Sequence, residues 1–92
     1  MIRTLRCADT AALAKGWATQ RFQDFERVAR RKLRQLEIAQ GLEDLRVPPG
    51  NRLELLRGDR AGQHSIRIND QFRLCFRWGD SGPEDVEIVD CH

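Results

Sequence analysis

The stretch LELLRGDRAGQHSIRINDQFRLCFRW, residues 53–78, decides the fold that this sequence predicts. In its last part, FRLCFRW, aromatic residues and leucine alternate with arginine and cysteine. A period of two is typical of a strand with one buried face. The other face would then present cationic side chains, and those expected to gather there are Arg57, Arg60, Arg67, Arg73 and Arg77. Guanidinium groups match the geometry of phosphate oxygens, so this face is a candidate phosphate-binding surface; an ordinary solvated face is the alternative.

The length and charge of the chain limit the number of domains and the partners that can be expected. Ninety-two residues are expected to form one domain, residues 1–92, with one modest core. The formal charge is only +2, so the total does not by itself indicate a nucleic-acid partner. The distribution says more, because 14 of the 16 basic residues are arginines, five basic or apolar residues form the run RRKLR at 30–34, and six arginines fall between 52 and 77.

Cysteine usage and hydropathy point to the compartment. The three cysteines, Cys7, Cys75 and Cys91, are widely spaced and form no CxxC pair, so we expect reduced thiols, no zinc framework and no metal. No long apolar run follows the first residues, and neither a signal peptide nor a membrane span is expected. These features predict a cytoplasmic protein without a cofactor.

The order of elements predicts an α+β fold. Residues 2–7 alternate like a strand, a short helix over 11–15 would be capped by Asp9 or Thr10, and a long helix over 22–40 would end at Gly41. A turn of helix at 42–45 and a proline-rich connector follow, and then strands at 52–56, 64–68, 72–78 and 85–90. We expect a tight turn at 69–70, a longer turn at 79–83, and Trp17 packed at the edge of the core. Helices would cover one face of a mostly antiparallel sheet of three to five strands.

Several side chains could cleave RNA. The reaction needs a base for the 2′-hydroxyl, cations for the phosphorane and an acid for the leaving 5′-oxygen, and no metal is needed because the nucleophile belongs to the substrate. His92 titrates near neutrality, Asp90 can orient it, and Arg73 supplies positive charge.

The segments GDRAGQHSIRINDQFRLCFRW, residues 58–78, and VEIVDCH, residues 86–92, carry a family resemblance. Their GDR-x-G, S-I-R-x-N and R-L-x-F elements, in this order, resemble HigB toxins of type II toxin–antitoxin pairs, in the RelE-like group of mRNA interferases. The resemblance covers nearly the whole chain. It implies a small RelE-like domain that cuts mRNA on the ribosome, inhibits translation and growth, and is neutralised by a HigA-type helix-turn-helix antitoxin.

The resemblance also assigns roles. HigB chains typically end in Asp-Tyr-His, residues implicated in the active site, and Asp90 and His92 match that pattern while Cys91 replaces the tyrosine. A thiol cannot stack on a base as an aromatic ring does, although it can titrate. Arg73 is expected to clamp the scissile phosphate. The remaining matches are RNA-contacting candidates, and the basic positions among them are Arg57 and Arg60. His64 is expected to be an RNA contact or a support, with simple packing as the alternative. Glu54 stands where some members carry a second catalytic histidine and could act as a base, with a solvent-facing strand carboxylate as the alternative.

Two alternatives stay open at this stage. The replacement of tyrosine by Cys91 allows a catalytically weak or inactive toxin-like module that binds RNA or the ribosome and its antitoxin. The alternation of the last segment raises a second question, because Asp90 and His92 share a side with Val86 and Ile88 in a regular strand and Cys91 does not. The strand must bend or end near Asp90 for all three residues to meet.

Overall fold

A computed structural model of the protein describes residues 1–17 and 19–90. Two helices, α1 (Ala8–Ala14) and α2 (Glu26–Ile38), precede a meander of four strands, β1 (Glu54–Leu55), β2 (His64–Arg67), β3 (Phe72–Gly79) and β4 (Gly82–Asp90). Short 3₁₀ turns occupy Gln20–Phe25, Leu42–Arg46, Pro49–Asn51 and Gly58–Arg60. The predicted α+β class, with helices against an antiparallel sheet, is confirmed.

The sheet has the order β1-β2-β3-β4, and every neighbouring pair is antiparallel. Ile66, Leu74 and Ile88 lie directly opposite one another across the three longer strands. Residues opposite each other in an antiparallel pair project to the same face, so these three form one apolar row. All three are almost fully buried, and this row is the floor of the core.

The helix α2 covers that floor with one stripe of side chains. Ala29, Leu33 and Leu36 follow steps of four and three residues, and each is at most 4 % exposed. The 3₁₀ turn before α2 adds Phe22, and Phe25 stacks on Phe72 of β3 with ring centroids 4.4 Å apart. Because the helices cover one face, the other face of the sheet carries the polar positions of each strand.

The N-terminal segment differs from its prediction. Residues 2–7 form no full strand, since only Leu5 makes a bridge, parallel to Val86 of β4. Asp85 has a left-handed backbone (φ 53°), and its N–H donates to the Thr4 hydroxyl at 2.7 Å. Backbone hydrogen bonds join the segment to β4 on both sides of this contact, from the Arg3 N–H to the Pro83 carbonyl at 2.7 Å and from the Arg6 N–H to the Val86 carbonyl at 3.0 Å. The left-handed Asp85 interrupts this pairing, so it is not a regular ladder.

Other element boundaries also move. The long predicted helix begins as the 3₁₀ turn, and α2 ends at Ile38 with Ala39 as its C-cap, before Gly41. The short helix begins at Ala8 with Cys7 as its N-cap, and Thr10 is instead buried, where it accepts a hydrogen bond from the N–H of Ile88 at 3.1 Å.

Of the two predicted turns, one has the expected form and the other is shorter, and Trp17 is exposed. The tight turn is confirmed, because the Asn69 side-chain oxygen accepts hydrogen bonds from the N–H groups of Gln71 (2.8 Å) and Phe72 (2.7 Å). The predicted longer turn was wrong, since only two residues separate β3 from β4. Trp17 is 66 % exposed and does not pack at the core edge. No helix in the described ranges has the length and apolar character to cross a membrane.

Candidate nucleic-acid interface

The face of the sheet away from the helices carries a group of arginines. Arg67 of β2 and Arg73 of β3 lie directly opposite each other and project to the side away from the apolar row. Arg77 lies further along β3, with its Nη1 3.0 Å from where a Cβ at Gly62 would be. Arg60, in the turn before β2, reaches Glu87 of β4, which pairs with Cys75 on this face. We call Arg60, Arg67, Arg73 and Arg77 the arginine face.

Arg73 is the most firmly held member of the arginine face. Its Nε donates to the hydroxyl of Ser65 at 2.7 Å, and its Nη2 donates to the backbone carbonyl of Arg52 at 2.8 Å. The side chain is only 15 % exposed, and Ser65 is fully buried. With these two anchors, the guanidinium cannot rotate freely, and its Nη1 makes no hydrogen bond within residues 1–17 and 19–90, so it can donate to an anion.

Each arginine of the face also has a carboxylate neighbour. Arg73 Nη2 lies 3.7 Å from a carboxylate oxygen of Glu54, and Arg77 Nε lies 3.8 Å from one of Asp85. The remaining pairs are Arg60 with Glu87 at 3.2 Å and Arg67 with Asp70. An incoming phosphate therefore meets cations that already have partial counterions, so binding exchanges a carboxylate for a phosphate.

An open cleft of about 510 Å³ lies beside β1 at the end of the sheet where β2 meets the turn to β3. It is lined by Arg52, Glu54, Leu56, Arg67, Asn69, Asp70 and Arg73. Two arginines of the arginine face thus share one concave site with two carboxylates. Such a site offers bidentate donors to a phosphate and an oxygen base to a neighbouring hydroxyl.

The predicted site residues are only partly brought together. Glu54, Arg67 and Arg73 line the cleft, whereas Arg57 is exposed at the start of the adjacent turn. Asp90 lies opposite Phe72, so a regular register projects it to the helix side of the sheet, and it accepts a hydrogen bond from Gln71 Nε2 at 3.0 Å. The predicted positions Cys91 and His92 lie outside the described residues.

His64 is also on the helix side of the sheet. It lies opposite Phe76, with nearly parallel rings whose centroids are 6.3 Å apart, and its buried Nδ1 has no hydrogen-bond partner in the part of the chain that the structure describes. This placement fits a supporting or packing residue more closely than an RNA contact through the arginine face. Within residues 1–17 and 19–90, His, Cys, Asp and Glu side chains form no cluster that could hold a metal ion.

The sequence did not single out the groups that hold Arg73. Ser65 shares the strand parity of Arg67, so the alternation of β2 already places its hydroxyl on the arginine face. The carbonyl of Arg52 has no such signal, because it depends on a left-handed backbone (φ 47°) at a residue other than glycine. Asp70 was visible only as a turn residue.

The fold places the protein in a structural class. A chain of the YoeB–YefM complex from Staphylococcus aureus superposes with a TM-score of 0.58, over 100 % of this chain and 98 % of that one. The sequences are 18 % identical, so this likeness concerns the fold alone. It is the RelE-like fold, with helices on one face of a small antiparallel sheet.

The sequence narrows the class to a family. The family described as "RelE-like toxin of type II toxin-antitoxin system HigB" matches residues 19–92, and the chain belongs to it. It is 56 % identical over 50 residues to Toxin HigB-1 of Vibrio cholerae, over 54 % of this chain and 53 % of that protein. An uncharacterized protein of Haemophilus influenzae is 40 % identical over 52 residues, over 56 % and 52 % of the two chains. The matched chain thus spans about half the length of these curated relatives.

Proposed function

We propose that this HigB-family toxin is an endoribonuclease that cuts mRNA on the ribosome without a metal ion. The observation that carries the proposal is the cleft in which Arg67 and Arg73 converge beside Glu54. Cations held in place before the substrate arrives stabilise a developing phosphorane without further reorganisation. The cleft has little surface with which to select a sequence, and the ribosome would present the message in a fixed position.

The proposed reaction moves two protons. A base takes the proton from the 2′-hydroxyl, the 2′-oxygen forms a bond to phosphorus, and the bond from phosphorus to the 5′-oxygen breaks. The products are a 2′,3′-cyclic phosphate and a 5′-hydroxyl, once an acid has protonated the leaving oxygen. Glu54 is our candidate for the base, because its carboxylate lies in the cleft beside Arg73.

The remaining roles rest on the family pattern. We assign the proton donor to His92 and the clamp on the scissile phosphate to Arg73. The family pattern gives Asp90 the orientation of His92, which requires the chain to turn after β4, since Asp90 itself projects to the helix side of the sheet. The partner that we propose is a HigA-type helix-turn-helix antitoxin. An antitoxin partner is supported by the similar fold within the YoeB–YefM complex and by the family to which this chain belongs.

The test is cleavage of a defined mRNA on programmed ribosomes, read by primer extension. We expect Arg73→Ala to lower the rate about 10²–10³-fold, since one preorganised transition-state contact is lost. His92→Ala should lower it about 10²–10⁴-fold, as for loss of a general acid. The control is Arg46→Ala, which removes an exposed arginine that pairs with Glu43 outside the cleft. Full cleavage by both Arg73→Ala and His92→Ala, with normal melting curves, would reject the proposed roles.

A non-catalytic binding module is the second candidate, and Cys91 in place of the family's tyrosine favours it. In that case the protein binds ribosomes and antitoxin but cuts slowly or not at all. Cys91→Tyr should then raise the cleavage rate and the growth arrest on induction, because an aromatic ring can stack on a base. A fall in cleavage would instead assign a role to the thiol. Ribosome co-sedimentation of the unaltered protein without any cut mRNA would establish the second candidate.

A further inference from the structure

A polar cluster is buried between α2 and the segment that leads into β1. Lys32 on α2 is 8 % exposed, and Asn51 is fully buried. The Lys32 ammonium donates to the Asn51 side-chain oxygen. The Asn51 amide nitrogen in turn donates to the Gln35 side chain and to the Leu45 carbonyl, each at 3.1 Å. The cluster therefore ties α2 directly to the connector that leads into β1.

Stability alone does not account for these residues. Desolvation of the ammonium, with a smaller contribution from Arg31, lowers the pKa of Lys32 below its ordinary value. Apolar residues of similar volume usually fill such a space at no loss, because they avoid the desolvation penalty of a buried charge. Lys32 also interrupts the apolar stripe, since it stands three residues after Ala29 and four before Leu36. A role other than packing is indicated.

The cluster leads directly to Arg73. Asn51 is followed by Arg52, whose backbone is left-handed (φ 47°, ψ 57°) and whose carbonyl accepts the 2.8 Å hydrogen bond from Arg73 Nη2. The direction of that carbonyl depends on the conformation of residues 51–52. Lys32 and Gln35 of α2 both hydrogen-bond the side chain of Asn51. The helix α2 therefore restrains the residue that precedes Arg52, and with it the position of the Arg52 carbonyl.

We propose that Lys32 and Asn51 are positioning residues that aim the Arg73 guanidinium into the cleft through the carbonyl of Arg52. Ser65 fixes the Nε end of the guanidinium, and the Arg52 carbonyl fixes its Nη2 corner. A planar fork held at two points keeps one orientation, and a displacement of about 1 Å is enough to cost about 10²-fold in rate. The orientation of the Arg73 guanidinium can be tested whether or not the protein cleaves RNA. Its use on a scissile phosphate rests on the proposed function.

The first test reads the guanidinium itself. The Nε–H of Arg73 gives an arginine side-chain NMR signal, which Arg73→Lys assigns by its loss, and its bond to buried Ser65 should make its solvent exchange slow. Lys32→Met should accelerate that exchange about 5- to 10-fold, as expected when one net hydrogen bond is removed from the network. Lys15→Met, which changes the only other lysine at an exposed position, is the matched control and should leave the rate unchanged. An unchanged rate in Lys32→Met overturns the proposal.

The second test separates positioning from general destabilisation. Lys32→Met should stay folded at the assay temperature, although the buried Asn51 side-chain oxygen loses its donor, and should cleave mRNA on ribosomes about 10-fold more slowly. In an Arg73→Ala background it should have no further effect, because a residue that acts only through Arg73 has nothing left to position. Additive losses would overturn the proposal. If Lys32→Met does not fold, Gln35→Leu removes a milder member of the cluster and is held to the same exchange and additivity criteria.

The two tests also distinguish this inference from the proposed function. If the unaltered protein cuts no mRNA, the proposed function fails, while the exchange rate of the Arg73 Nε–H still decides whether the cluster positions the guanidinium. If cleavage is present and the exchange rate does not respond, the endoribonuclease stands and the positioning role is rejected.

Discussion

At the scale of single residues, Asp70 would compete with a phosphate for Arg67 under the proposed function. Its side chain is 97 % exposed and pairs with Arg67, whose guanidinium lines the cleft. A surface pair of this kind contributes little to stability, because solvent screens it and the side chains lose freedom. The pair should matter more for binding than for stability, since a phosphate that binds Arg67 must first displace the Asp70 carboxylate.

Asp70→Asn should therefore tighten the binding of a short single-stranded RNA. We expect an affinity about 2- to 5-fold higher, the equivalent of one exposed ion pair that no longer has to be broken. Fluorescence anisotropy at two salt concentrations measures it, and the affinity should fall as salt rises. Asp80→Asn, in the exposed β3–β4 turn, changes the net charge equally and is the control. Equal gains in both variants would mean that only net charge matters.

At the scale of elements, α2 separates core contacts from surface contacts along one helix. Leu36 is fully buried against the sheet, whereas Ile38, two residues later, is 65 % exposed. The two side chains have the same volume, and they differ in the face of the helix from which they project. This pair therefore tests the orientation of α2 directly.

Leu36→Ala should lower the free energy of unfolding by about 2–5 kcal/mol, since both burial and packing are lost. Ile38→Ala should change it by no more than about 0.5 kcal/mol, as is usual at surface positions. Urea unfolding of the two variants gives the comparison. Similar losses in both would show that α2 is rotated relative to the orientation described.

The elements that the sequence predicts well are those with a long periodic pattern. The stripe on α2 and the alternation of β2 and β3 determine which side chains meet, and both were predicted from spacing alone. The start of the long helix was not, because Phe22 and Phe25 are three residues apart and fit a 3₁₀ turn as well as an α-helix. The strand predicted over residues 2–7 failed for a different reason, since the left-handed Asp85 on its partner strand is not visible as a pattern.

The candidate site likewise has residues that the sequence pattern predicts and residues that it does not. The positions of Arg67 and Arg73 follow from strand parity and were predicted. Their anchors were not, because Asn51 and Arg52 follow a proline-rich connector without periodicity. A charged residue within an apolar stripe was the one available signal, and Lys32 provided it.

At the scale of the whole molecule, Lys32 links stability to pH. Burial holds its pKa in the folded chain below that in the unfolded chain. Between the two pKa values the unfolded state binds more protons, so stability contributed through Lys32 rises with pH in that window. The penalty for the buried charge is fully present below the folded pKa and is gone above the unfolded one, about 10.4.

Lys32→Met removes this contribution. Relative to Lys32→Met, the unaltered protein should become more stable as the pH rises towards the unfolded pKa of about 10.4, so the difference in unfolding free energy between the two proteins should shift in favour of the unaltered protein. Lys15→Met should keep the pH dependence of the unaltered protein, because Lys15 is exposed. Chemical denaturation at several pH values measures the difference, and parallel curves for the unaltered protein and Lys32→Met would contradict the assignment.

The late position of β4 governs when a newly made chain can fold. β4 supplies Val86 and Ile88 to the core and lies between β3 and the N-terminal segment. Synthesis proceeds at about 5–20 residues per second, so several seconds pass between the synthesis of α2 and that of β4, which completes the sheet against which α2 packs. During that time β2 and β3 have no closed core behind them to hold Ser65 and Arg73 in register. We therefore expect a nascent chain to lack an ordered arginine face on the ribosome that is making it.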